Sequence, residues 1–389
     1  MKIRILRGTN QIGGSSVIIA TENAKVVIDF GSELNDNPQK LEVSGLTSGK
    51  SDIDAVFFSH NHGDHVGLID TINNDIPIYM GKTSLELLKM FAERTKERQY
   101  KLKTLDRVKT FEKEDKITIK DIVVTPYYVD HSAFDAYMFL VEAEGKKILY
   151  TGDFRDHGFT GRKGFEPVLQ NHVGKVDAVI CEGTTLNRDD SKTLTEMELQ
   201  REIGKVINSN KYVFVMCASA NIYRIEGICC AVKDGKCKLS DKYQSGIINY
   251  IKEKYKDLSY LYCNSLGEYN ENDKNKYEKY GFVMFIRQGK YFKKIMDEYK
   301  DAKIIYSMWH GYLDKENADD RETLRNFFGN REIIELHTSG HATKEAIKKL
   351  IDITSPNYVI PIHTEAKEKF REIAGDKLLL ANDNEDINI

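Results

Sequence analysis

Short apolar runs, each closed by a glycine or a chemically active residue, recur along this chain and predict strands that give way to loops. Residues 4–6, 16–20, 25–29 and 55–58 read as early strands, and 122–129, 147–150 and 358–360 as later ones. Residues 84–96 carry Leu85, Leu87, Leu88, Phe91 and Ala92 at helical spacing. From about residue 195 the pattern alternates. Helices are predicted over 196–207, from 221 onward and over 319–328; strands over 212–216, 259–263, 281–286, 303–308 and 332–336. Helix and strand in turn predict an α/β chain with a sheet covered by helices. At 389 residues it is long enough for about two domains.

The strand ends carry the chemistry. His60-Asn61-His62-Gly63-Asp64-His65 follows the apolar run 53–59 and is the densest set of metal-ligand types in the chain. Imidazole with carboxylate suits zinc, and four ligand types in so short a stretch exceed what one tetrahedral ion takes. His60 and His62 can grip one ion while Asp64 and His65 begin a second site. Downstream, the runs before His131, Asp153 and His363 each deliver one further His or Asp at a strand end, where catalytic groups are commonly presented.

These motifs resemble the metallo-β-lactamase fold hydrolases: the His-x-His-x-Asp-His run, Asp130-His131-Ser132, Gly152-Asp153-Phe154 and Pro361-Ile362-His363-Thr364-Glu365. Asp29 resembles the supporting acid of that superfamily's first motif. Cys181-Glu182-Gly183-Thr184, Ala218-Ser219-Ala220-Asn221-Ile222-Tyr223-Arg224-Ile225 and Ser339-Gly340-His341-Ala342 narrow the resemblance to the β-CASP nucleases, with the ribonuclease J family nearest. The implied fold is an αββα sandwich interrupted by an inserted α/β β-CASP domain. Residues 1–196 and 333–389 would form the discontinuous sandwich and 197–332 the insert.

The resemblance also implies roles. A first ion would take His60, His62 and His131, and a second Asp64, His65 and His363, with Asp153 between them. The implied cofactors are two zinc ions, with manganese as the alternative. The implied activity is hydrolysis of single-stranded RNA by a hydroxide that the ion pair activates and Asp64 orients. Glu182 would hold His341, which would act on the scissile phosphate or the leaving group. Ser219, Asn221, Arg224 and Ser339 join His341 as candidate substrate contacts, Ser219 doubling as a helix N-cap and Arg224 as either a phosphate ligand or an ion-pair partner.

Composition narrows the remainder. Hydrophobic residues make up 41% of the chain and charged residues 30%, ordinary for a globular domain. The formal charge of −3 and the lack of a basic stripe argue against tight nonspecific nucleic-acid binding, so affinity for RNA should be modest and salt-sensitive. No apolar stretch is long enough to span a membrane, and Arg4 and Arg7 break the start as a signal segment, so a cytoplasmic protein is expected. Cys229, Cys230 and Cys237 lack a Cys-x-x-Cys pair and do not read as a further zinc site. The composition is compatible with a homo-oligomer. A hydrolase of the same fold acting on a small phosphodiester, thioester or lactam is the alternative function.

Overall fold

The computed structural model describes residues 1–35, 38–189, 193–256, 266–314 and 323–389. The strand expected at 259–263 and the first part of the helix expected at 319–328 lie outside these residues. The chain divides into two compact units, Met1–Lys192 with Gly340–Ile389, and Thr193–Ser339.

The first unit is an αββα sandwich. One sheet runs, in spatial order, Asp386–Asn388, Lys2–Arg7, Ser16–Ala20, Lys25–Ile28, Ala55–Phe58, Ile78–Gly81 and Lys109–Phe111. The other runs Tyr358–Ile362, Ala178–Glu182, Lys146–Tyr150, Ala136–Ala143, Ile122–Val129 and Ile117–Ile119. Alternate side chains decide which face meets which layer. Ile5, Val17, Ile28 and Phe57 point inward onto Val124, Phe139, Ile148, Ile180 and Ile360 of the facing sheet. Their neighbours Val27, Val56, Phe58 and Met80 point outward under Leu85, Leu88 and Ala92 of helix Lys82–Arg94. On the far side Met138, Leu140, Leu149 and Val179 lie beneath Ala346, Ile347 and Leu350 of helix Lys344–Thr354. Burial on both faces explains why these strands read as continuous apolar runs rather than as alternation.

The second unit is built on a six-stranded sheet in the order Gly267–Glu268, Cys237–Ser240, Phe282–Ile286, Tyr212–Met216, Lys303–Tyr306 and Ile333–Glu335, parallel throughout. Helix Glu196–Ser209 opens it with a reciprocal cap, in which Thr195 accepts from the Glu198 amide and the Glu198 carboxylate accepts from Thr195 N–H. Both boundaries differ from the sequence reading, the first falling at Thr193 rather than at 197. The run at 333–335 pairs with Lys303–Tyr306 and completes the edge of this sheet, so the division falls at Gly340 rather than at 333. A three-residue apolar strand carries no mark of which sheet it joins. No helix among the described residues is long and apolar enough to cross a membrane.

Candidate metal centre

Strand Ala55–Phe58, buried along its whole length, ends in Ser59 and the histidine loop. The loop then turns through the short helix Gly63–Val66, whose Asp64, His65 and Val66 are buried. Neighbouring backbone clamps it. Ser15 N–H donates to the Asp64 carbonyl at 3.1 Å, and Phe30 N–H to that of His65 at 2.8 Å. Gly31 lies so close to the Asp64 carbonyl that any Cβ there would collide with it.

Around this loop the first unit gathers the ligand types into two clusters. The donor atoms of His60, His62 and His131 lie within 4.8 Å of one another, as do those of Asp64, His65, Asp153 and His363. His131 Nε2 stands 3.2 Å from His62 Nδ1, His65 Nε2 3.1 Å from Asp153 Oδ2, and His363 Nε2 3.1 Å from Asp64 Oδ2. Asp153 also lies 3.9 Å from His60 and 3.8 Å from His131, and so stands between the clusters. Two buried atoms, His60 Nε2 and Asp153 Oδ1, have no hydrogen-bond partner. Buried polar atoms are normally satisfied, so two orphans inside a histidine–carboxylate cluster fit a metal-binding site.

The electrostatics of the three-histidine cluster agree with that donor set. Burial, reinforced by neighbouring histidines, pushes His60 well below its ordinary value, and burial pushes His62 down to about 4. His131 is likewise lowered by burial. A neutral imidazole is what a cation requires. Burial alone would also lower His65, but Asp153 and Asp29 outweigh it and hold that ring well above the usual range. Asp153 stays ionised against burial because His363 and His65 face it.

The far nitrogen of most of these rings is held in turn. Asp29 Oδ2 stands 2.7 Å from His65 Nδ1, Thr184 Oγ1 2.8 Å from His363 Nδ1, the Gly340 carbonyl 2.6 Å from His131 Nδ1, and Ser59 Oγ 3.0 Å from His60 Nδ1. Asp29 and His363 both adopt left-handed backbone, with φ of 58° and 53°, a strained conformation of about 1 kcal/mol or more for such residues. Tyr150 and Ser59 hydroxyls donate to Asp29 at 2.7 Å. Thr184, Tyr150 and the Gly340 carbonyl escaped the sequence reading as orienting groups. Thr184 follows Glu182 closely enough to have been suspected; a backbone carbonyl leaves no sequence signal at all.

Glu182 ends strand Ala178–Glu182, fully buried, with Oε2 3.2 Å from His341 Nδ1. Its Oε1 accepts the Phe154 and Ala342 amides, each at 3.1 Å. Although burial disfavours the charged ring, Glu182 and Asp153 raise His341 above its usual value. Asp153, Glu182, His341 and His363 also lie within ligand distance of one another, so His341 borders the second cluster directly.

The second-unit candidates behave differently. Asn221, not Ser219, caps helix Ile222–Ala231, its side chain accepting from the Arg224 amide. Ser219 Oγ has no hydrogen-bond partner. Arg224 is 3% exposed, and its guanidinium is spent within its own unit. Nε and Nη2 hold Glu196, Nη2 also donates to the Thr338 carbonyl at 2.8 Å, and Nη1 meets the Ser307 carbonyl and His337 Nδ1 at 3.0 Å. With its five N–H groups engaged, Arg224 has none to offer a phosphate, which corrects its candidacy as a substrate contact. Ser339 is half-buried in the segment just before Gly340. No cysteine joins a metal-binding cluster among the described residues.

Comparison with known proteins adds to this geometry. Residues 25–209 match the β-lactamase superfamily domain, and residues 330–374 match the Zn-dependent metallo-hydrolase RNA specificity domain. Ribonuclease J of Mycoplasma genitalium is 24% identical over 399 residues, spanning 94% of this chain and 68% of that protein. An RNase J-like protein of Methanocaldococcus jannaschii is 23% identical over 401 residues, spanning 92% and 91% of the two chains. A crystal structure of a protein of unknown function from Enterococcus faecalis V583 shares the fold, with a TM-score of 0.79 at 20% identity over 99% of each chain.

Proposed function

Because this chain belongs to the β-CASP nucleases of the metallo-β-lactamase superfamily, near ribonuclease J, we propose that it is a ribonuclease that hydrolyses RNA phosphodiester bonds with two divalent ions, zinc or manganese. The observation that carries this reading is the pair of clusters, with Asp153 in one and within 4 Å of His60 and His131 in the other, and with His60 Nε2 and Asp153 Oδ1 left unsatisfied. His60, His62 and His131 would hold one ion and Asp64, His65 and His363 the other, with Asp153 touching both. Ions there would polarise the phosphate and acidify a water enough for it to attack at neutral pH.

The chain's own groups do the rest. Asp64 accepts a proton from the attacking water and keeps it oriented. Glu182 fixes the His341 ring through Nδ1, which leaves Nε2–H to donate to the departing ribose oxygen. Raised by Glu182 and Asp153, His341 stays protonated nearer to neutral pH than an ordinary histidine would. Ser219, Asn221 and Ser339 contact the substrate strand, while Arg224 holds the insert together. A cytoplasmic setting agrees with the unpaired thiols of Cys181, Cys217 and Cys229.

The test is metal analysis combined with cleavage of 5′-monophosphorylated RNA, 5′-hydroxyl RNA and single-stranded DNA. About two ions per chain and chelator-sensitive cutting of RNA are expected. Full metal occupancy without nuclease activity, together with turnover of a thioester or lactam, would replace this reading with a small-substrate hydrolase.

A further inference from the structure

The chain has a single tryptophan, and it is 45% exposed. Burying an indole is worth a few kcal/mol, so an exposed one held in a fixed pose calls for an explanation. Trp309 sits just beyond strand Lys303–Tyr306, at the carboxyl end of the second unit's parallel sheet. Open α/β sheets take their ligands at that end. Its pose is set on two sides. The benzo ring lies directly over Gly311, where any Cβ would collide with it, so the turn His310–Tyr312 admits the indole only because residue 311 is glycine. Tyr312, itself 37% exposed, meets it edge-on at 90°, with ring centroids 5.2 Å apart. Tyr306 lies beneath, donating its hydroxyl to the Trp309 carbonyl at 3.0 Å.

The neighbouring segment points to the occupant. Strand Lys303–Tyr306 pairs with Ile333–Glu335, and His310 Nδ1 lies 2.8 Å from Glu335 Oε2. Those partners fall within residues 330–374, the stretch that matches an RNA specificity domain. A rigid, two-ring aromatic ledge is the device by which single-stranded nucleic acid is gripped without reading its sequence, because every base has a π face. We propose that Trp309, braced by Tyr312 and Gly311, is a base-stacking subsite for single-stranded RNA on the second unit. This inference rests on the ribonuclease reading and adds to it a contact made with a base rather than with a phosphate.

Because no other residue emits as tryptophan, the protein reports on the site itself. Metal-loaded protein is titrated with a ten-nucleotide phosphorothioate oligoadenylate, which resists cleavage, and with an abasic chain of the same length and backbone. Quenching of Trp309 emission by the base-bearing chain and little by the abasic one is expected. Trp309→Ala should weaken oligoadenylate binding roughly ten- to a hundredfold, and Trp309→Phe by only a few-fold, since stacking is worth about 1–3 kcal/mol per base. Tyr291→Ala removes another exposed aromatic of the same unit and should leave the affinity within about twofold. Unquenched emission at saturation overturns the proposal, as does equal quenching by both chains, tight binding by Trp309→Ala, or a concentration-dependent emission shift of the protein alone. If RNA is cut while Trp309 stays silent, the subsite fails and the ribonuclease reading stands. If RNA is neither bound nor cut, the ribonuclease reading fails first.

Discussion

Asp29 Oδ2 lies 2.7 Å from His65 Nδ1, and this contact leaves His65 Nε2 as the nitrogen that faces Asp153. Asp29 also accepts from the Ser59 amide, the Ser59 hydroxyl and the Tyr150 hydroxyl. Every neighbour with a defined role donates to it, so the carboxylate has no room for a donor of its own. Asp29→Asn would bring an NH₂ group into that ring of donors and tilt the imidazole. Metal affinity should fall about 10- to 100-fold, the range for such outer partners, when read by competition with a colorimetric chelator. Unchanged affinity would mean that the Asp29 contact does not orient the ligand.

His363 and His341 separate the two roles assigned at the carboxyl end. His363 Nε2 faces Asp64, whereas His341 is aligned by Glu182. His363→Ala should lose or loosen one ion, as counted by elemental analysis. His341→Ala should keep its metal while turnover falls by about 10²–10⁴. The grouping of Asp153, Glu182, His341 and His363 makes the test a sharp one: if His341→Ala sheds metal, His341 is a ligand and the acid must be sought elsewhere.

Arg224 predicts a stability effect in place of a binding one. Truncating it to Ala removes the guanidinium from the Glu196 carboxylate, which is 1% exposed, and from the Ser307 and Thr338 carbonyls. A loss of about 3–5 kcal/mol is expected, seen as a lower urea midpoint. Replacing both partners by neutral groups, Arg224→Met with Glu196→Gln, should recover a good part of it. A single Arg224→Ala variant that unfolds like the parent but binds RNA poorly would restore the phosphate-contact reading.

Thiol chemistry gives a pH test away from the metals. Burial pushes Cys217 up to about 12 and also holds Cys181 well above its ordinary value, so at about pH 8 both remain protonated and unreactive in the folded chain. Cys230 is exposed and should be labelled first by a disulfide reagent. Raising the pH toward 10 should speed Cys230 without recruiting Cys217; denaturant should recruit it at once. Rapid labelling of Cys217 in native conditions would contradict its burial.

Much of the clustering was legible because residues of metal-ligand type gather in sequence wherever a strand end delivers several at once, as at residues 60–65. The solitary candidates His131, Asp153 and His363 were legible only as repeated strand-end residues, and the family resemblance linked them. Arg224 shows the limit. An arginine near a helix start reads as a phosphate ligand until its surroundings are known, and Glu196, Ser307, His337 and Thr338 come from four separate places in the chain. The edge strand at 333–335 was visible as a strand but not as a member of one sheet, since pairing partners leave no mark in so short an apolar run.

His363 and Asp64 meet at 3.1 Å although 299 positions separate them. Synthesis at roughly 5–20 residues per second puts about 15–60 s between the appearance of one and the other. During that interval the whole second unit emerges, while His60, His62, Asp64 and His65 wait for their last partner. A newborn chain therefore passes through a stage with one ligand cluster complete and the other short of its final imidazole. Of the two clusters, the one around Asp64 is therefore the later to be completed as the chain is made.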